Sequence, residues 1–484
     1  MHTLNLPIFN QLLSDKGIAP VETFPEPPRL LFADTLPEIE DRAKIRFILG
    51  SQVSFEHAEQ HKIENLIKKW RAKLSPELDG ADEDGNFNLD SEYLDEAAND
   101  APIIRMVNHL MDRSLDLSAS DIHFEPEEKH LKIRCRVDGV MVDLETLPAS
   151  VKAAVSSRVK LMARLDIGEK RLPQDGRIQY KMGSKNLDMR VSTLPGVHGE
   201  SIVLRILDRS DVNVSLDQLG MPEDIIKPYN NVIKQPHGII LVTGPTGSGK
   251  TTSLYATLEK INTGKNKTIT VEDPVEYQLE GITQIHVNSK IGLNFAAGLR
   301  SIVRQDPDII MVGEIRDAET AEIAIESALT GHLVFSTLHT NDAAGAITRL
   351  QDMGIDTYLI SSSVIAVMAQ RLVRRICSHC IETVQISEEE AELLEINQQE
   401  CPDIKRGKGC ERCGNTGYKG RLGLYELLLI SDDIRHVIGN GGDANAIRKQ
   451  AVKEGLRTLR KDAMEKLYQG ITTPEEIVRV TRAN

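Results

Sequence analysis

The stretch GIILVTGPTGSGKTTSLYATLEKI, residues 238–261, decides how this sequence is read. Residues 238–243 form a short apolar, β-rich run, and residues 251–261 have the composition of a helix. Between them GPTGSGKT, Gly244 to Thr251, fits the pattern G-x-x-x-x-G-K-[ST]. A backbone that wraps a polyphosphate with its N–H groups inward needs residues free of a Cβ, and Gly244, Gly247 and Gly249 supply them. Pro245, Thr246 and Ser248 complete the loop. Lys250 is expected to reach the β- and γ-phosphates and Thr251 to hold Mg²⁺. A helix that begins here adds a field favourable to anions. The competing reading is a chance match in a Gly-rich turn; a strand before the loop and a helix after it argue against that.

Three more β-rich runs follow. TITV (268–271) precedes Glu272, Asp273 and Glu276; DIIMV (308–312) precedes Glu314, Arg316 and Asp317; LVFST (333–337) precedes His339. Strands alternating with helical stretches from about Val212 to Ile376 predict a parallel sheet with crossover helices. Ligands of such sheets bind outside the carboxyl ends of the strands, so four strand ends are expected to deliver these groups to one edge. Hydrolysis of a phosphoanhydride needs a positioned water, a metal clamp and positive charge. On that chemistry Glu276 polarises the water. Glu314 holds Mg²⁺, directly or through a water, or helps orient the nucleophile, and His339 senses the γ-phosphate. Taken singly, each carboxylate is equally well a surface strand end, and a lone His is more often structural. His332, beside Gly331, is read as structural.

Outside this core, the 484 residues suggest two to four domains. A hydrophobic fraction of 40% and a charged fraction of 27% exclude whole-chain disorder and fibres. The net charge of −14 disfavours a nucleic-acid coat. No apolar run reaches the ~18–20 residues that span a bilayer, and the N-terminus lacks the layout of a secretory signal, so a cytoplasmic protein is expected. Residues 1–75 read as mainly helical, with Ile63, Leu66, Ile67 and Trp70 at helical spacing. Residues 76–100 form a linker with ten acidic residues and no basic one from Glu77 to Asp100. A calcium loop there fails on register, because Gly80 and Ser91 fall on its first and last ligand positions. Residues 101–215 read as an α/β domain, 216–376 as the phosphate-loop core and 426–484 as a helical region.

Residues 377–425 carry Cys377, Cys380, Cys410 and Cys413, two C-x-x-C knuckles with 29 residues between them. Four thiolates suit a closed, structural Zn²⁺ site. The gap exceeds the usual 15–20 residues, so a redox pair and free core thiols remain alternatives on spacing alone. Cys135 and Cys401 are read as unliganded.

The blocks GPTGSGKTTSLYATL, TVEDPVEY, RQDPDIIMVGEIRDAET and TGHLVFSTLHTNDA, in this order, resemble the secretion ATPases that drive type II secretion and type IV pilus assembly. In that family they are the Walker A, Asp box, Walker B and His box. SASDIHFEP (118–126), RLDIGEKRLPQDGRI (164–178) and MRVSTLPGVHGESIVLRIL (189–207) resemble the domain that precedes the family's motor. The resemblance spans about residues 100–425. It implies a RecA-like core, a preceding α/β domain and a zinc-binding tetracysteine insertion followed by a run like TGYKGRLGLYE (416–426). It implies that Arg190 and Arg205 reach the nucleotide; the bland reading of both is a salt-bridged strand residue. Glu314 stands where many P-loop enzymes carry Asp, a variation the family shares.

The same resemblance implies a hexameric ATPase using ATP, Mg²⁺ and Zn²⁺. It would drive pilus-like filament assembly and export, peripheral at the inner face of the inner membrane, docked on platform proteins through residues 1–75. The core blocks PHGIILVTG, TVEDPVEY and GAITRL look closer to the type II secretion branch than to the pilus branch. The alternatives are a type IV pilus extension motor, a RecA-like nucleic-acid motor and a nucleotide sensor without turnover. Acidic composition and a cysteine region without interleaved aromatics count against nucleic acid.

Overall fold

The computed structural model describes residues 101–182, 185–208, 215–396 and 403–481, together with 18–20, 29–32, 53–58 and 62. Two compact units divide the chain, 1–208 and 209–484.

The first unit opens with three short strands, β1 (Ile18–Pro20), β2 (Arg29–Phe32) and β3 (Ser54–His57), which form one small sheet. The expected helical character of residues 1–75 therefore does not hold at these positions. Leu30, Leu31 and Phe32 carry no helical spacing that contradicts a strand, and Glu56 and His57 pair with β2. The helix expected around Ile63 to Trp70 and the acidic linker lie outside the described residues. Helix α1 (Ala101–Asp116) leads into β4 (Ala119–Pro126), β5 (His130–Val137), β6 (Val140–Pro148), α2 (Lys152–Met162), β7 (Gln174–Met182), β8 (Lys185–Gly196) and β9 (Gly199–Asp208). These strands form one antiparallel sheet in the order β6-β5-β4-β9-β8-β7. The alternation in KIRCRV explains its single apolar face: Ile133 and Cys135 are fully buried, whereas Arg134 and Arg136 are not. Ile122, Phe124, Met189, Val191 and Leu204 join that face in one core with residues of both helices.

The second unit begins with α3 (Glu223–Val232) and is built on seven strands. They are β10 (Gly238–Thr243), β11 (Thr268–Glu272), β12 (Ile282–His286), β13 (Ile309–Val312), β14 (Leu333–Leu338), β15 (Val364–Ile376) and, after a two-stranded excursion of β16 (Ile381–Val384) and β17 (Ile404–Gly407), β18 (Tyr418–Leu429). The order is β12-β11-β13-β14-β10-β15-β18, parallel throughout except for the β15–β18 pair. Both faces are covered. Ile239 and Leu241 pack into one core, while Ile240 and Val242 pack into another, which is why β10 is apolar at every position. Helices α4 (Lys250–Ile261), α5 (Phe295–Ile302), α6 (Ala318–Leu329), α7 (Ala343–Asp352) and α8 (Thr357–Ser363) connect the strands, and α9 (Glu388–Leu393) lies within the excursion. Asp317 and Asp342 cap α6 and α7 through their side chains.

The tail holds α10 (Asp432–Gly439), α11 (Ala444–Lys453), α12 (Leu459–Tyr468) and α13 (Pro474–Thr481). The helical region expected over 426–484 is broken near its middle: Gly455, at φ +94°, ends α11, and Thr458 caps α12. The tail is tied to β18 by buried ions. Asp462 accepts hydrogen bonds from Lys466 Nζ (2.6 Å), Arg457 Nη2 (3.2 Å) and Tyr425 N (2.9 Å), and Lys466 also donates to Gly423 O (2.7 Å). Asp462→Ala strands the buried Lys466 ammonium and takes from Arg457 one of three carboxylate partners, the others being Asp224 and Glu465, and is expected to cost about 3–5 kcal/mol. Urea unfolding followed by far-UV signal measures it; a loss below about 1 kcal/mol would show that the cations find other partners.

Candidate nucleotide site

The parallel register fixes where the phosphate loop lies. Thr243, the last residue of β10, is level with Leu338 at the end of β14 and with Ala369 on β15. Next along the edge come the ends of β13 and β11. The groups after these strands thus line one edge in the spatial order Asp box, Glu314, His339, phosphate loop. This arrangement places the loop beside the strand that bears His339, not beside the next strand in sequence.

Within the loop Gly244, Gly247 and Gly249 all have positive φ (153°, 77° and 86°). A Cβ on Gly244 would stand 2.5 Å from both Ser248 Oγ and Gln370 O, and one on Gly249 would stand 2.8 Å from Gln370 Nε2. The first and third glycines are therefore required by packing as well as by conformation. At Gly247 nothing lies within 4 Å, so conformation alone selects glycine there. Pro245, Thr246 and Gly247 are exposed at the tip and Thr251 is exposed at the start of α4, whereas Ser248 and Lys250 are buried. The Lys250 ammonium donates to Gly244 O (2.7 Å) and Pro245 O (3.1 Å). Burial pulls it down to about 8; Glu314 opposes that shift and Arg371 adds to it. A buried Ser248 Oγ without a hydrogen-bond partner, a glycine cradle and a desolvated ammonium are the complement that a polyphosphate requires.

Glu314 and His339 meet. The Glu314 carboxylate accepts from Arg316 and lies 3.2 Å from His339 Nε2. Burial pushes Glu314 up, but Arg316 and His339 outweigh it and hold the carboxylate below its usual range. It is an ionised oxygen ligand suited to Mg²⁺. The backbone N–H of Glu276 donates to Tyr255 Oη (3.3 Å) on the helix that follows the loop. Tyr255 in turn donates to Glu272, whose other oxygen accepts from Thr270 (2.5 Å) and Gln284 (3.0 Å). Burial and the Glu272 charge hold the Tyr255 phenol protonated. Tyr255 and Glu272 thus set the turn that carries Glu276, a role not read from the sequence. No local pattern announces it: β11 is buried at every position, which makes an unpaired carboxylate at its end costly, but that burial is a property of the packed sheet.

Arg190 and Arg205 belong to the first unit, where they face each other across β8 and β9. Arg205 Nε donates to Asp121 (2.9 Å), and 63% of its side chain is exposed. His332, as read, serves the fold: its Nδ1 lies 2.8 Å from Ser327 O.

The four cysteines of the excursion converge, their sulfurs lying within 4.8 Å of one another. Cys377–Cys410 and Cys380–Cys413 are 3.9 Å apart and Cys410–Cys413 3.7 Å. Thiolates about 2.3 Å from a central Zn²⁺ stand roughly 3.8 Å apart, whereas a disulfide needs about 2.05 Å. Burial pushes the Cys413 thiol up, but the N–H groups of Cys410 and Gly417 outweigh it and hold it at about 7. These are the features of a tetrahedral metal-thiolate site. Cys135 is in the core of the first unit, and Cys401 lies outside the described residues.

Comparison with known proteins accords with this geometry. The profile of the type II/IV secretion system protein family matches residues 96–479. The type II secretion system protein E of Xanthomonas campestris is 48% identical over 445 residues, covering 90% of this chain and 78% of that protein. The type II secretion system ATPase E of Vibrio cholerae is 47% identical over 408 residues, covering 83% and 81%. Among solved structures, the pilus retraction motor PilT with bound ADP aligns with a TM-score of 0.52 at 26% identity over 77% of this chain and 96% of that one. The Legionella pneumophila ATPase DotB shares the fold, with a TM-score of 0.58 at 23% identity over 78% and 96% of the two chains. A phosphate loop, a Glu314–His339 pair on its edge and a match over most of the chain place this protein in the type II/IV secretion system protein family.

Proposed function

We propose that the protein hydrolyses ATP and uses the cycle to drive pilus-like filament assembly in a type II secretion system. The observation that carries this reading is the convergence of the glycine cradle, Lys250, ionised Glu314 and His339 on one sheet edge. Loop N–H groups and Lys250 hold the β- and γ-phosphates. Thr251 and Glu314, the latter directly or through a water, would hold Mg²⁺, which would supply charge neutralisation on the phosphate oxygens. Glu276, set by Tyr255 and Glu272, accepts the proton of the attacking water, and His339 reports the γ-phosphate to Glu314. Arg190 and Arg205 add cationic charge at the transferring group. The relatives named as type II secretion proteins, at 47–48% identity, favour that system over a pilus extension motor. No helix among the described residues is long and apolar enough to cross a membrane. Work at the inner face of the inner membrane therefore calls for docking on platform proteins, for which residues 1–75 are the proposed segment. A homo-hexameric ring supplies the arginines, and nucleic acid has no role. The tetracysteine site holds Zn²⁺ as a structural staple.

Deleting the gene and scoring secreted enzymes against surface pili tests the system; a defect confined to pili would transfer the reading to the extension motors. Lys250→Ala is expected to abolish ATP turnover, and unchanged turnover would remove the loop assignment. Glu276→Gln and Glu314→Gln are expected to lower kcat by about 10²–10⁴-fold with a far smaller effect on ATP binding. Tyr255→Phe, which loses the bond to Glu272 without losing volume, should lower kcat by roughly tenfold and leave nucleotide affinity in place. Metal analysis should return one zinc per chain. Cys410→Ser should lower that content together with thermal stability, and a wild-type protein free of zinc would refute the site.

A further inference from the structure

Beyond the groups assigned above, one buried cation stands against the phosphate loop. Arg371 lies on β15 two residues past Ala369, which pairs with Thr243, so it reaches the carboxyl edge next to the loop. It is only 5% exposed. Its Nη1 donates to Gln370 O (3.0 Å), and its Nη2 donates to Asn341 O (2.6 Å) and Asn341 Oδ1 (3.3 Å). Nη1 is also 3.1 Å from the point a Cβ on Gly244 would occupy. All three acceptors are neutral; the carboxylate whose field balances the charge is the buried Glu426. A guanidinium in such surroundings is expensive to desolvate, and a site that keeps one despite the cost is a candidate for function.

The segment it holds is the one that follows His339. Thr340 is bonded to Thr243 of the loop strand, Oγ1 to Oγ1 at 2.6 Å and N–H to Oγ1 at 3.0 Å. Asn341 is held by Arg371. Asp342 caps α7 and pairs with Arg448 of α11, and the Ala343 N–H donates to Glu426 (3.0 Å). The other oxygen of Glu426 accepts from Leu459 N (3.2 Å). Four consecutive residues are thus pinned: Thr243 ties the strap to the loop strand, and Arg371, beside Gly244, ties Asn341 to β15.

We propose that Arg371 is a positioning residue for ATP hydrolysis. It fixes the segment that follows His339, and through it the Glu314–His339 pair, beside the phosphate loop: one prong of its planar fork is braced on the carbonyl of its own neighbour Gln370 and the other holds Asn341. The proposal rests on the hydrolase reading above. Lys retains the charge but not the two-pronged span, and Gln retains donors without the charge or the reach. The displacement these variants allow acts on the chemical step, where misplacement of about 1 Å costs on the order of a hundredfold.

The test is steady-state MgATP turnover of the full chain, wild type beside Arg371→Lys and Arg371→Gln, with unfolding temperatures and rates corrected to folded protein. The expected result is a kcat about tenfold lower for Lys and about a hundredfold lower for Gln, with KM within roughly threefold of wild type. A KM rise at unchanged kcat, or a Gln variant with wild-type kcat per folded molecule, would overturn the proposal and leave the hydrolase reading standing. If the Gln variant does not fold, the Lys variant decides, and wild-type kcat there overturns the role. A wild type that turns over no ATP would overturn the hydrolase reading, and this role with it.

Discussion

Positive charge buried under a phosphate loop is the constraint around which the second unit is organised. Lys250 and Arg371 are both nearly out of water, and the Arg371 charge weakens the hold of Lys250 on its proton. Such a pair is tolerated where carbonyl oxygens, one ionised Glu314 and one buried Glu426 surround it, and where an anion of several charges is the ligand. The glycines follow from the same constraint. Gln370 and Ser248 press so closely on Gly244 and Gly249 that no side chain fits there.

The cysteine site bears on the same edge through β15 and β18. The excursion from 377 to 417 leaves and rejoins the sheet where Ile376 pairs with Tyr418, and Cys377 N donates to Gly417 O at 2.9 Å. A metal closed within four thiolates would clamp the open end of this antiparallel pair without taking part in chemistry. Midway along the pair, level with Arg371, Asp462, Lys466 and Glu426 fasten the helical tail to β18. The neighbour of the strand that carries Arg371 is thereby held at Arg371's own level as well as at the cysteine end.

Much of this was legible in residue order. The loop, its flanking strand and helix, the three later strand ends and the two cysteine knuckles each announce themselves by local pattern, because glycine spacing, apolar runs and thiol spacing are properties of neighbouring residues. Tyr255, Glu272, Thr340 and Arg371 did not. Tyr255 reads as one apolar residue of a helix and Arg371 as one charge after an apolar run, and their meaning lies in partners 17 and 30 residues away. The three short N-terminal strands were missed for a related reason, since strands of three or four residues carry too little periodicity to outweigh a helical background.

By itself, then, the order of residues determined that a phosphate-binding loop opens a parallel α/β unit and that four thiols could share a metal, since short-range spacing controls both. Only the tertiary structure decided which strand lies beside the loop, that Glu314 touches His339, and that a guanidinium from β15 holds Asn341, two residues past that histidine. Strand order and burial arise from packing over the whole sheet, and a sheet's neighbours in space are not its neighbours along the chain.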